Sequence, residues 1–389
     1  MEIKKNQRLA FIDVLRGLAC VWMIQTHVLN TCLSSEFQSG TFWNWLNISN
    51  GFVSVCFVFC AGAGFSIFTS RNIDSILSLK PTLFTYLKRL GFILFIGYVL
   101  QLPPEMSWNR LLSMNEIEWM KFYEFDVLHT IVASSVVSLI IVFFLRVKTT
   151  YKLSIFFILS ICCYILPLYL WDSGILKLIP YEIGTIFEKP PLSAFPLFPW
   201  MGHYFLGISI TGVFYNSKNK RKTMLMVSGI AFTTFLISIL LKNTFYISPI
   251  DAKEWWDSAF SHFVYRGSLV AFLFSLIYFL ERFLHTFAIA KFFQILGKES
   301  LVIYALHLFL LYSTYKKMGL KEWFFNSSTP TEVVFLSLSL TIVSFFACYL
   351  WSNSKKKHPT GTKIVQYGFW FWFFVFFFFG KQLGLVVQP

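Results

Sequence analysis

Residues 127–145 read VLHTIVASSVVSLIIVFFL, nineteen positions without an Asp, Glu, Lys or Arg. As a helix rising about 1.5 Å per residue, such a run is close to the roughly 30 Å hydrocarbon core of a bilayer. Working outward, runs of the same kind occur at 11–33, 51–69, 90–102, 153–171, 198–215, 224–241, 263–280, 300–315, 332–351 and 364–382, making eleven candidate spans. The third is short, and its first turns take in part of 83–89. Of the 389 residues, 56% are hydrophobic and 13% charged, with 48 Phe and a mean hydropathy of +0.62. Soluble domains carry about 25% charged residues, so this composition excludes them, as it excludes disorder, collagen-like repeats and a small disulfide-stapled module. The expected fold is all-α, a polytopic membrane bundle of about 11 helices. It is read as one domain over 1–389, with a core at 8–315 and additional C-terminal helices at 332–382.

The formal net charge is +14. In a soluble chain that points to nucleic acid, whereas in a membrane protein it reports orientation, because Lys and Arg are retained in cytoplasmic loops. With the N-terminus inside, the inner segments hold 21 Lys/Arg and 4 Asp/Glu, and the outer segments hold 10 and 14. Among the outer acids are Glu36, Glu105, Glu116, Glu118, Asp251 and Asp257. Every inner loop shows the bias, so the expectation is a cytoplasmic N-terminus, an external C-terminus and no nucleic-acid partner.

The first eight residues resemble a signal peptide, but Asp13 and Arg16 interrupt the apolar run and no small-residue cleavage site follows, so a retained first helix is expected. The seven Cys lie in or beside spans without CxxC spacing, which argues against a thiol metal site or disulfide framework. Cys56 and Cys60 share a helix face and suit close packing, as do Gly62 and Gly64. No internal repeat is visible. The Phe369 to Phe379 stretch reads as a lipid-facing helix with Lys381 snorkelling at its end.

An ionisable side chain within a span is costly and marks a functional site by default. Asp13, Arg16 and His27 lie in the first helix and His307 in the ninth, while Arg266, His129 and His203 lie nearer the ends of theirs. Asp13 and Arg16, three apart, can pair. Arg16 and His27, eleven apart, fall about 20° from alignment and roughly 16 Å apart along the axis. One stripe thus carries an ion pair towards the inner end and an imidazole in the outer half. Arg fits phosphate oxygens and His accepts a proton near neutral pH, which suits an anionic donor held inside with chemistry deeper or further out. The plainer alternative has Asp13 and Arg16 neutralising each other and His27 bonding a neighbouring helix. Tyr304 lies three positions before His307 on one face, so a second polar stripe can meet the first, or serve only as an interhelical hydrogen bond. Arg266 is expected to pair with an outer carboxylate such as Asp257. His129 and His203 can line an acceptor mouth or be structural.

Arg8 to His27, RLAFIDVLRGLACVWMIQTH, resembles the opening helix of membrane-bound acyltransferases, whose hallmark is an Arg and a His with ten residues between them, here Arg16 and His27. Gly51 to Ser66 ending in CAGAGFS, Phe195 to Gly207 (FPLFPWMGHYFLG) and Leu296 to His307 (LGKESLVIYALH) agree in order. The FPLFPW segment and the Phe125-Asp-Val-Leu-His129 turn look more like the heparan-α-glucosaminide N-acetyltransferase-like branch than the acyltransferase 3 branch. The resemblance implies a helical bundle that takes an acyl group, usually acetyl, from cytoplasmic acyl-CoA and places it on a sugar at the opposite face, with acetyl-CoA as co-substrate, no permanently bound cofactor and no metal. One departure is plain. In the animal lysosomal enzyme the position matching His27 is Asn and the catalytic histidine lies in the following loop, yet here 34–50 contain no His. The site therefore follows the acyltransferase 3 pattern, with His27 itself the expected general base, or uses another residue, and Asp13, Arg16, Tyr304, His307, His129 and His203 are candidate binding residues for acyl-CoA or acceptor. The inner basic loops, Lys88-Arg89 and Lys218 to Lys222, can collect the CoA nucleotide or report topology alone.

The expected setting is the inner membrane of a bacterium, with lipid, acyl-CoA and a glycan as partners, and a homodimer is compatible with the sequence. The competing class is a transporter of a small metabolite, which predicts half-repeats, broken helices and several intramembrane carboxylates, of which the sequence shows only Asp13 clearly.

Overall fold

The computed structural model describes residues 9–102, 107–145, 149–171, 173–188, 193–242, 260–284, 288–312 and 319–379. Glu105, Asp251, Asp257 and Lys381 lie outside them, and with Asp257 the expected partner of Arg266. Among the described residues every regular element is helical, apart from one isolated bridge between Leu33 and Ser328. In chain order the helices are α1 (Ala10–Cys32), α2 (Gly40–Asn50), α3 (Phe52–Leu77), α4 (Pro81–Leu100), α5 (Trp108–Leu112), α6 (Glu116–Phe122), α7 (Val127–Leu145), α8 (Thr149–Ile165), α9 (Pro167–Leu170), α10 (Tyr181–Gly184), α11 (Leu197–Asn216), α12 (Lys220–Lys242), α13 (Phe260–Leu284), α14 (Ala288–Lys298), α15 (Ser300–Tyr312), α16 (Leu320–Phe324), α17 (Pro330–Lys357) and α18 (Pro359–Phe379). Two short 3₁₀ turns, Ser35–Phe37 and Ile175–Leu178, complete the set.

Each of the eleven expected spans corresponds to one of these helices. Nine of the described helical stretches are long and apolar enough to cross a membrane, ten if α14 and α15 are one broken span. The remaining one, α11, has the length but includes Pro199, Trp200, His203 and Tyr204, all of them buried. It is a core helix shielded from lipid by its neighbours. The fold is an all-α polytopic membrane bundle, as the sequence predicts.

Glycines set the two tightest crossings. A Cβ on Gly17 of α1 would lie 1.9 Å from the Phe293 carbonyl oxygen on α14, and one on Gly297 of α14 would lie 1.9 Å from the Asp13 carbonyl oxygen. The two backbones therefore touch, which only residues without a side chain allow. Gly62 on α3 and Gly207 on α11 make the same reciprocal contact, against the Tyr204 and Phe59 carbonyls. Gly62 thus does what its place in the sequence suggests, whereas a Cβ on Gly64 would meet only the Arg16 side chain, at 3.8 Å. Phe11 fills the centre at this end of α1, with its ring against Phe214, Phe274 and Tyr278.

Sequence and structure differ at the ninth span. Residues 288–298 count as an inner basic loop in the sequence, but they form α14, and α14 and α15 meet at an 80° bend on Glu299. Glu299 is 8% exposed and takes the Lys355 ammonium of α17 at 2.6 and 2.7 Å. The pair fastens the bend to α17, which also packs on α1. The α17 N-terminus carries a capping box, Thr329 with Glu332, preceded by residues 326–328 folded over the end of α1. There the amides of Asn326, Ser327 and Ser328 satisfy the terminal carbonyls of Thr31 and Cys32. At the periphery, Phe369, Phe371 and Trp372 of α18 are exposed, while Trp370 packs on Phe92 and Phe95 of α4.

Candidate functional site

The C-terminal half of α1, the middle of α15 and the first turn of α7 converge. His27 is half-buried on α1, and its ring lies 5.2 Å, centroid to centroid, from that of His307, which is fully buried on α15. One turn further along α1, the Thr31 hydroxyl donates to the Tyr312 oxygen at 2.9 Å, and Tyr312 lies 3.1 Å from Nδ1 of His27. His307 is oriented from behind, with Nδ1 2.8 Å from the Ile303 carbonyl. The Tyr304 ring stands 5.8 Å from that of His307, and its hydroxyl donates to Oδ2 of Asp126 at 2.5 Å. Residues 285 positions apart in sequence therefore share one hydrogen-bonded cluster.

Asp126 is one of the 14 acidic residues that fall in outer segments by the charge pattern. It directly precedes α7, and its carboxyl is drawn into the cluster by Tyr304. Burial raises its pKa above the ordinary carboxylate range, while the Tyr304 hydroxyl and the Val127 amide pull it back. Glu124, two residues earlier, is raised by burial and by the neighbouring Asp126 charge. On the same turn, the Asp126 amide donates to Nδ1 of His129 at 3.4 Å, and the His129 ring packs edge-on to Tyr98 at 4.5 Å. His129 belongs to the rim of the cluster through Asp126.

The other candidates fall elsewhere. Arg16 is half-buried on α1 and donates to the Cys60 carbonyl of α3 at 3.0 Å, in the N-terminal half of the helix. Asp13, 3% exposed, lies one turn before it, under the crossing of α14. His203 sits in a second buried cluster built by α8, α11 and α13, where its Nδ1 is 2.7 Å from the Tyr164 hydroxyl. Arg266 stands over the Trp200 ring at 5.9 Å in that cluster and is 5% exposed, so it is a core residue. The structure thus joins His27, His307 and Tyr304, adds Asp126, Tyr312 and Thr31, and keeps Arg16 and His203 apart from them. All seven cysteines are free thiols. Among the described residues no group of three or more His, Cys, Asp or Glu could hold a metal ion.

The arrangement offers two imidazoles 5.2 Å apart, centroid to centroid, with a buried carboxyl linked to them through Tyr304. Such a site can move a proton to or from a hydroxyl, amine or thiol. No curated protein matches the chain. Residues 8–243, well over half of the sequence, match the family model described as heparan-alpha-glucosaminide N-acetyltransferase, catalytic, and the chain belongs to that family of membrane acetyltransferases.

Proposed function

We propose that this protein takes the acetyl group of cytoplasmic acetyl-CoA and passes it to a hydroxyl or amine of a glycan on the far side of a bacterial inner membrane. The observation that carries the reading is the meeting of His27 and His307, whose rings lie 5.2 Å apart in the outer half of α1. A general base of this kind contributes about 10²–10⁴-fold, and positioning of two bound substrates supplies much of the remainder. Arg16, about 16 Å further in by helical rise, holds phosphate or the pantetheine tail of the donor in this reading, with Asp13 as its companion. The acetyl-CoA is a co-substrate that leaves after each turnover, and transfer is direct.

The test is label transfer from radiolabelled acetyl-CoA to glycan in membranes containing the protein, followed by identification of the labelled sugar. Wild type should label it, and His27→Ala should lose at least about 10²-fold. Full activity in His27→Ala would remove His27 from the chemistry.

The break at Glu299 and the buried Asp126 are features that a transporter shares. The two classes separate on purified protein. Acetyl-CoA or CoA should raise the melting temperature by mass action if the protein is an acetyltransferase. No shift, together with metabolite uptake by proteoliposomes, would favour transport.

A further inference from the structure

The two histidines of the cluster do not hold their protons alike. A carbonyl oxygen only accepts, so the contact from Nδ1 of His307 to the Ile303 oxygen at 2.8 Å puts the hydrogen on Nδ1. In the neutral ring the lone pair then sits on Nε2. Among the described residues no hydrogen-bond partner reaches that Nε2, although the ring is fully buried. On α1 the proton order is reversed. Thr31 donates to the Tyr312 oxygen, which frees the Tyr312 hydrogen for Nδ1 of His27 at 3.1 Å, and we take that arrangement. His27 then carries its hydrogen on Nε2. Adjacent rings, tilted by 48°, therefore present opposite chemistry, a lone pair on one and an N–H on the other.

We infer that His307 is the general base of acyl transfer and that the Nε2–H of His27 holds the developing oxyanion, which exchanges the role expected of His27 from the sequence. This rests on the acetyltransferase reading of the same site. The acceptor O–H or N–H bond breaks as its proton goes to Nε2 of His307, and the freed electron pair bonds to the thioester carbonyl carbon. The C=O pair moves onto oxygen, which accepts from Nε2–H of His27. Collapse restores C=O and breaks the C–S bond, and the CoA thiolate takes the proton from His307, so both rings end neutral. A neutral imidazole can serve as such a donor without first being protonated. Asp126, reached through Tyr304, sets a carboxyl near the imidazolium that forms, so Tyr304 and Asp126 act as positioning residues.

The experiment is the pH dependence of the initial rate of label transfer from acetyl-CoA to endogenous membrane glycan, in wild type, His307→Gln and His27→Gln. The other titratable groups around the rings are Asp126, Glu124, His129, Tyr304, Tyr312 and Cys32. His307→Gln should lose about 10²–10⁴-fold and lose the acidic limb of the profile. His27→Gln should keep that limb, lose about 10²–10³-fold or less, and exceed His27→Ala because the amide N–H replaces the donor. Stabilisation of each variant by CoA shows that it folds. If either fails that check, Tyr312→Phe decides the matter. Losing the hydroxyl that orders His27 should lower the rate with the acidic limb unmoved, and a wild-type rate or a displaced limb overturns the assignment. So does a limb that vanishes in His27→Gln and persists in His307→Gln. A wild type that transfers no label would instead sink the acetyltransferase reading, and this assignment with it.

Discussion

Asp126 shows how a single contact changes what a residue is for. By pattern it is one of 14 outer acids, placed one position before an apolar helix, where a solvated carboxylate is ordinary. The Tyr304 hydroxyl, from 178 positions away, draws it into the bundle. Burial raises its pKa, so the native state keeps the proton to a higher pH than the unfolded chain does. Stability must then fall as pH rises from the ordinary carboxylate range through the raised native value, by up to about 1.4 kcal/mol per pH unit inside that window. Asp126→Asn keeps an acceptor for Tyr304 and removes the charge. The melting temperature of the variant minus that of wild type should therefore grow between pH 4 and pH 8 in detergent. A difference that stays flat or shrinks would mean that Asp126 is not held as described. His27, Arg16, Tyr304 and His307 were legible because charges and imidazoles are rare inside apolar runs. Asp126, Tyr312 and Thr31 were not, since a loop acid, a helix-end Tyr and a mid-helix Thr carry no such contrast until a distant helix meets them. The FDVLH turn was conspicuous only as part of a family resemblance.

At the scale of elements, length and hydropathy located the spans but not the bend. Residues 288–298 are too short to cross a membrane and carry Lys291 and Lys298, so they read as a basic loop. What makes them α14 is contact with α1, and that contact needs Gly17 and Gly297 opposite backbone carbonyls. The crossing also fixes where α15 starts, and hence the height at which His307 meets His27. Gly17→Ala or Gly297→Ala places a methyl 1.9 Å from a carbonyl oxygen, a clash that only backbone displacement relieves. Overpacking of this kind should cost about 3 kcal/mol and lower the melting temperature and the transfer rate together. Gly229→Ala on α12 is the control, because nothing lies within 4 Å of its Cβ position. It should be neutral or stabilise by about 0.5–1 kcal/mol, as Ala for Gly does in a helix. Equal melting temperatures for Gly17→Ala and Gly229→Ala would contradict the close approach of α1 and α14.

For the whole molecule, the charge bias and the order of helices meet in one claim about sidedness. The turns between α3 and α4 and between α11 and α12 carry Lys80 and Lys218, and the last turn of α17 carries Lys355 to Lys357, while the links after α1 and before α7 carry Glu36, Glu116 and Glu118. If each long helix crosses once, with α14 and α15 as one broken crossing, the first set shares a face with the N-terminus and the second lies opposite. Donor and acceptor then approach from the two ends of α1, Arg16 from one and His27 from the other, which is the geometry a transmembrane transfer requires. Single cysteines at Leu79, Lys218 and Lys356 should react with an impermeant maleimide only after the vesicle is opened from its cytoplasmic side, and those at Gln38 and Ser113 only from outside. Six of the seven native thiols are buried, and replacing exposed Cys162 with Ser gives a clean background. Labelling of Gln38→Cys and Leu79→Cys from the same side would break the succession of crossings between α1 and α4. It would also leave the two-sided approach to α1 without a basis.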